Sequence, residues 1–202
     1  MSEPRAAAYE LDRRELVAAV LKERGDALVV AGLGAPAYDC RAAGDHDLTF
    51  YLWGAMGSAA AVGLGLALAR PERRVLVITG DGELLMGLGG LATVAAQDPE
   101  NLAILVLDNE AFGETGRQTG LTAGRADLAA LARGAGFPHA TTARAPREVP
   151  DLIDLLLRRP GPALAVAKVA LKPDPLVLPP RDGALLRARF RRALLGPAAD
   201  YQ

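Results

Sequence analysis

The 202-residue sequence contains a single cysteine, Cys40. An internal disulfide is therefore excluded, and with no CxxC pair or His/Cys cluster a zinc or iron–sulfur centre is excluded too. That scarcity fits a reducing cytoplasm. Histidine is almost as rare, and neither His46 nor His139 lies in a motif for acid–base chemistry. His139 follows Phe137-Pro138 and reads as a turn-like structural residue, whereas His46 falls near the expected mouth of the site described below. An excess of either charge is also missing. Twenty-three Lys and Arg against 24 Asp and Glu give a net charge of −1, so nothing draws the whole molecule to nucleic acid or an anionic membrane. The opening MSEPRAAAYELDRR has no apolar signal core. The longest apolar stretch, Leu52 to Ala69, is crowded with Gly and Ala and short of the roughly 20 residues a membrane span needs; it reads as a tightly packed helix. No GxGxxG follows the first strand, which argues against a nicotinamide dinucleotide site. A small-molecule site of another kind is the remaining expectation.

What is present is a chain half hydrophobic and 23% charged, enough for one well-buried domain. Leu11 to Arg24 has helical spacing and stops at Gly25. Three short apolar runs then end in glycine or polar turns: Ala27–Ala31 before Gly32-Leu33-Gly34, Arg74–Thr79 before Gly80-Asp81-Gly82, and Leu102–Leu107 before Asp108-Asn109. Helical stretches at Gly57–Ala69 and Glu83–Gln97 separate them. The alternation predicts an α/β fold in three layers, a mainly parallel sheet with helices on both faces. Asp127–Arg133 and Arg147–Arg158 read as further helices, and Ala163–Val169 as a last core strand. This gives a domain over residues 1–171, followed over 172–202 by a proline-containing arm and a basic amphipathic helix, Asp182–Leu195, expected to pack on the domain or a partner.

Ligands of parallel sheets sit beyond the carboxyl ends of the strands, so the three turns should converge. Gly80 and Gly82 let backbone approach a phosphate, Asp81 supplies a hard carboxylate oxygen, and Asn109 supplies another oxygen. Mg²⁺ prefers near-octahedral oxygen ligands and is often completed by phosphates and water. A helix starting at Glu83 would add its positive end. Gly80 and Asn109 are separated by roughly the 30 residues of a strand–helix–strand unit.

At this spacing the sequence resembles the diphosphate-binding half of thiamine-diphosphate enzymes, whose motif runs from GDG to Asn-Asn. Here the first Asn is Asp108, and the metal-binding Asn corresponds to Asn109. The resemblance implies a metal set of Asp81, Asn109 and the Ala111 carbonyl. It also implies a cofactor surface of Gly32, Leu33, Gly34, Gly54, Ala55, Met56, Gly80, Asp81, Gly82, Glu83, Asn109, Ala111, Phe112 and Gly113, taking thiamine diphosphate with Mg²⁺. In the block Leu52-Trp53-Gly54-Ala55-Met56-Gly57, Met56 corresponds to the residue that props the cofactor into a bent shape, and Gly54 to the carbonyl that meets its aminopyrimidine. Within the family the chain is similar to sulfopyruvate decarboxylase β subunits and phosphonopyruvate decarboxylases, through Asp45–Tyr51, GDGELLMGLGGLATVA and Leu107–Gly113 with Thr115, Gly116 and Gln118.

Two departures are notable. Glu83 stands where many relatives carry a phosphate-binding Ser, and is expected to turn its carboxylate away and offer only its backbone N–H. Glu114 replaces a small residue in the loop Phe112–Gly124, whose four glycines suit a lid; Gln118 is a candidate substrate contact. The resemblance implies a 2-oxo acid decarboxylase subunit. Its activating Glu is expected on a pyrimidine-binding α subunit, in a hetero-oligomer with at least two copies of each chain. The alternatives are a carboligase, a 2-oxo acid oxidoreductase subunit, or a non-catalytic cofactor-binding subunit.

Overall fold

The computed structural model describes residues 8–201; the first seven residues of the expected 1–171 domain, and Gln202, lie outside it. In chain order the elements are α1 (Arg13–Lys22), β1 (Leu28–Ala31), α2 (Ala35–Ala42), β2 (Thr49–Tyr51), α3 (Ala59–Ala69), β3 (Val75–Gly80), α4 (Asp81–Met86), α5 (Gly90–Gln97), β4 (Leu102–Asp108), β5 (Ala111–Phe112), β6 (Gln118–Thr119), α6 (Leu128–Ala135), β7 (His139–Ala143), α7 (Val149–Leu157), β8 (Ala163–Lys168) and α8 (Gly183–Leu195). Six strands form one sheet in the order β2-β1-β3-β4-β8-β7, and every neighbouring pair is parallel.

The apolar runs are continuous because both faces of the sheet are covered. Along β1, Leu28 and Val30 enter one core with Val77, Ile104 and α3, α5 and α6. Val29 and Ala31 enter the other, with Ile78, Leu105 and α1, α2 and α7. This alternation through a sandwiched sheet is the three-layer α/β architecture the strand–helix order implied.

The structure corrects several local expectations. His139 opens β7, an edge strand, rather than a turn. The segments that become α2 and β2 were not resolved as elements by their sequence pattern, since each is too short to show a period. The helix expected over Glu83–Gln97 is two helices, broken at Gly87-Leu88-Gly89. At the break the backbone of another loop comes close: a Cβ on Gly87 would sit 1.8 Å from the Gly57 carbonyl oxygen, so only glycine fits there. The loop carrying Met56 is thereby pressed directly against the end of α4.

After β8 the chain runs extended to Asp182, whose carboxylate accepts hydrogen bonds from the Ala184 and Leu185 backbone N–H groups and caps α8. The arm lies on the domain. The indole of Trp53 donates to the Pro180 carbonyl at 2.6 Å, Phe190 meets Phe50 edge to face, and Arg189 holds Asp45 through both terminal nitrogens.

Candidate functional site

The strand order reverses between β1 and β3, since β2 adds on one side and β4 on the other. A crevice outside the carboxyl ends of strands at such a switch point is the usual ligand position in open α/β sheets. Register then decides which residues meet there. Gly80 pairs with Leu107, and Asp108 with Lys168, so the turns after β3 and β4 leave the sheet at the same level. A cavity of about 400 Å³ opens there, lined by Leu33, Met56, Gly80, Asp81, Gly82, Glu83, Asn109, Ala111, Phe112 and Gly113 among others. Gly32, Gly34 and Ala55 are adjacent in sequence to lining residues and Gly54 lies two residues before Met56, but none of the four lines it. Another cavity, about 440 Å³, lies between β7 and α7 and contains none of the motif residues.

The electrostatics centre on Asp81, which is buried. Its Oδ2 lies 3.0 Å from the Thr122 hydroxyl, which is also 2.8 Å from Asp108 Oδ1. One hydroxyl hydrogen cannot serve two carboxylates at once. Burial, together with the neighbouring Asp108 charge, pushes the Asp81 carboxyl up to about 6. Asp108 and Glu110 are buried as well, and both pair with the Lys168 ammonium at 2.8 Å. Burial would lower that ammonium, but the hydrogen bonds to Asp108 and Glu110 outweigh it and raise it. Asp108 and Glu110 thus share the Lys168 ammonium, and the Thr122 hydroxyl bridges Asp108 to Asp81, whose carboxylate is of the kind that suits a divalent ion.

The donor set is suitable as well. Among the described residues no three His, Cys, Asp or Glu side chains are grouped to hold a metal ion, so a ligand set here would have to draw on neutral oxygens as well as carboxylate. Asp81, the Asn109 amide oxygen and the Ala111 carbonyl are such oxygens, and the remaining positions would fall to phosphate and water. The Asn109 Oδ1 already accepts the Ala111 N–H at 3.0 Å, which orients the amide. As a metal ligand Asp81 would bind only in its ionised form, so protonation would compete as pH falls through about 6. Titration calorimetry should find Mg²⁺ affinity nearly flat between pH 7 and 8 and weakening about tenfold per unit below 6.

Glu83 does not face solvent. Its Oε2 accepts from the Thr79 hydroxyl at 2.8 Å and from the Leu33 backbone N–H at 3.1 Å. A Cβ on Gly32 would lie 2.0 Å from that oxygen, so the turn after β1 is built around this carboxylate. Burial raises the Glu83 carboxyl against those hydrogen bonds. The α4 helix begins at Asp81 and has six residues, so its dipole is weaker than that of the long helix expected from sequence.

The glycine-rich loop is ordered as a small hairpin, β5 with β6, followed by a short helical turn at Leu121–Ala123. Glu114 reaches across to Tyr38, whose hydroxyl donates to it at 3.4 Å. The Gln118 amide oxygen accepts from the Thr115 hydroxyl at 2.9 Å, and its side chain is not part of the cavity lining. His46 is exposed, and its Nδ1 accepts the Leu48 N–H. Cys40 is free and buried.

Residues without a sequence signal also contribute. Arg13, Arg14, Tyr38, Arg117 and the arm residues Lys172–Leu176 line the cavity, and Thr122 and Lys168 complete the buried cluster. They come from distant chain segments, so only the tertiary structure brings them to the site.

The model of the family described as thiamine pyrophosphate enzyme, C-terminal TPP binding domain, matches residues 32–167. The sulfopyruvate decarboxylase β subunit of Methanothermobacter thermautotrophicus is 45% identical over 127 residues, 63% of this chain and 68% of that one. Phosphonopyruvate decarboxylase of Streptomyces viridochromogenes is 40% identical over 177 residues, 86% of this chain and 44% of that one; the chain spans less than half of that relative. Among solved structures, benzoylformate decarboxylase from Polynucleobacter necessarius superimposes with a TM-score of 0.70 at 20% identity, over 87% of this chain and 36% of that one. At that identity the likeness establishes the fold.

Proposed function

The chain belongs to the thiamine pyrophosphate enzymes, as their C-terminal TPP-binding domain, and from that premise we propose that it is the β-type subunit of a thiamine-diphosphate-dependent decarboxylase of a sulfopyruvate- or phosphonopyruvate-like 2-oxo acid. The observation that carries this reading is the register of β3 against β4. It delivers Asp81 and Asn109 to one cavity, which Met56 lines as well.

In this reading Asp81, Asn109 and the Ala111 carbonyl hold Mg²⁺, and the glycines of Gly80-Asp81-Gly82 admit the diphosphate close to the backbone. Thiamine diphosphate, when bound, supplies the electron sink that decarboxylation of a 2-oxo acid requires. Met56, 43% exposed at the cavity in this structure, supports the bent cofactor, and Gly54 offers its carbonyl to the aminopyrimidine. The Phe112–Gly124 loop would exclude water over the reacting centre.

The activating Glu is assigned to a pyrimidine-binding α subunit. Two features support a partner surface beside the site: the relative from Methanothermobacter is itself named a β subunit, and Met56, Met86 and Leu121 are large apolar side chains left exposed. No helix among the described residues is long and apolar enough to cross a membrane, and the single free thiol fits a cytoplasmic setting.

The test is co-expression with a pyrimidine-domain chain, followed by measurement of CO₂ release from sulfopyruvate, phosphonopyruvate and pyruvate. The expected result is turnover of an acidic 2-oxo acid by the complex and negligible turnover by the isolated chain. Full-rate turnover by the isolated chain would remove the need for a partner, and cofactor binding without any CO₂ release would turn the assignment towards carboligation or a non-catalytic role.

A further inference from the structure

Four cationic side chains line the cavity at the carboxyl ends of the strands, Arg13, Arg14, Arg117 and Lys172, and three of them are neutralised. Arg13 pairs with Asp39 and Asp174, and Arg14 with the same fully buried Asp39. Lys172 pairs with Asp12. Arg117 differs: among the described residues it has no ion pair, and its side chain makes no hydrogen bond. Glu114, in the same turn, does not claim it. That carboxylate faces α2, where the Tyr38 hydroxyl donates to it at 3.4 Å, and the Glu114 Cγ lies 3.0 Å from where a Cβ on Gly34 would stand.

Arg117 closes the turn of the β5–β6 hairpin, whose first strand carries Ala111. Its backbone N–H donates to the Phe112 carbonyl at 3.0 Å, and its φ is 58°, a left-handed conformation that glycine adopts more readily than arginine. The turn itself therefore does not call for an arginine, and a side chain held in a disfavoured backbone conformation beside a cavity points to a role there. Gln118, the substrate contact expected from sequence, is paired with Phe112 in the hairpin ladder and bonded to Thr115. The cavity is met by the residue before it.

We propose that Arg117 is a specificity-determining residue that receives the distal acid group, a sulfonate or phosphonate, of the 2-oxo acid. This rests on the reading of the cavity as the site of a decarboxylase for such acids. A guanidinium offers a planar fork of N–H donors that matches an oxyanion through two parallel hydrogen bonds. The substrate's carboxylate leaves as CO₂, whereas its distal acid keeps its charge throughout. An unpaired guanidinium thus binds substrate and transition state alike, which lowers KM and leaves kcat unchanged.

The test is calorimetry on the full chain with its pyrimidine-domain partner present. The probes are 3-sulfopropionate and 3-phosphonopropionate, which lack the reacting keto group, against propionate, which lacks the distal acid. The parent should prefer the two diacids, and Arg117→Met should weaken them by about 10- to 100-fold, as expected for hydrogen bonds to a charged group, with propionate unaffected. Whichever diacid loses more identifies the acid group. Arg117→Lys, which keeps the charge without the fork, should fall between. In turnover, KM for sulfopyruvate or phosphonopyruvate should rise by the same factor, with kcat within about twofold and pyruvate unchanged. Arg117→Gly should lose diacid binding equally yet melt at or above the parent's temperature, because glycine suits the left-handed turn.

No preference for the diacids in the parent, or diacid binding unchanged in Arg117→Met and Arg117→Gly, would overturn the assignment. An equal loss of propionate binding, or a lower Tm for Arg117→Gly, would make Arg117 a structural residue of the hairpin. Failure of the decarboxylase reading is distinguishable: no 2-oxo acid would release CO₂, while the Arg117-dependent binding of diacids would persist.

Discussion

Replacing Asp81 by Asn is expected to weaken Mg²⁺-dependent thiamine diphosphate binding by more than about 100-fold while leaving the fold intact. Groups that only orient a metal's ligands already cost about 10- to 100-fold when removed, and Asp81 would be the one charged ligand of its set. The substitution is isosteric, and an amide can still meet the Thr122 hydroxyl, so the local hydrogen bonding survives. Stability should move the opposite way. Above about pH 6 the folded chain without metal keeps Asp81 ionised, although burial and Asp108 favour its proton. A carboxyl raised on folding costs stability above its folded-state value, and that cost is absent below the unfolded value near 4. Asp81→Asn should therefore raise the Tm of the metal-free chain at pH 7.5 by roughly 5 °C, at an order of 2 °C or more per kcal/mol for a chain of this size. Calorimetric binding and a thermal melt on the same sample check both signs. A variant that binds cofactor normally would remove Asp81 from the site, whatever its Tm.

Gly87→Ala should have the largest effect on stability. The added Cβ would meet the Gly57 carbonyl oxygen at 1.8 Å, and the obstacle is backbone, so no side-chain rotation can relieve it. Gly57 is itself at φ 90°, and a Cβ there would lie 2.8 Å from the Gly87 nitrogen, so the approach is tight from both sides. Overpacking of a filled site costs about 1–3 kcal/mol, and a backbone contact belongs at the upper end. A drop in Tm of roughly 10 °C is expected. The same contact joins the Met56 loop to the end of α4, so cofactor affinity should fall as well. Conversely, Gly89→Ala two residues on, where a Cβ meets nothing within 4 Å, should melt within about 2 °C of the parent. If both variants melt alike, the Gly57–Gly87 contact is not the tight backbone approach described.

Much of this was legible beforehand because the chemistry is local. The continuous apolar runs of β1, β3 and β4 can only be strands buried on both faces, and a glycine or polar turn after each places ligand-facing backbone at one end of the sheet. Asp81 and Asn109 were visible for the same reason, each sitting in the turn that directly follows a strand. The broken helix was not visible, because nothing within GDGELLMGLGGLATVA records that Gly57 lies against Gly87. The partners of Glu83 were not visible either. Repulsion from a diphosphate suggested a carboxylate turned aside, but that its oxygen would be held by Thr79 on the preceding strand and by the Leu33 N–H on a neighbouring turn is written in no single segment.

The sequence by itself determined the α/β class, the family resemblance and the oxygen donors proposed for a metal, since these depend on residue type and spacing within single segments. Only the tertiary structure decided how the charge of that site is balanced. Asp108, Thr122 and Lys168 come from three separate segments, and the interaction of buried charges depends on their separation in space, which no spacing along the chain records.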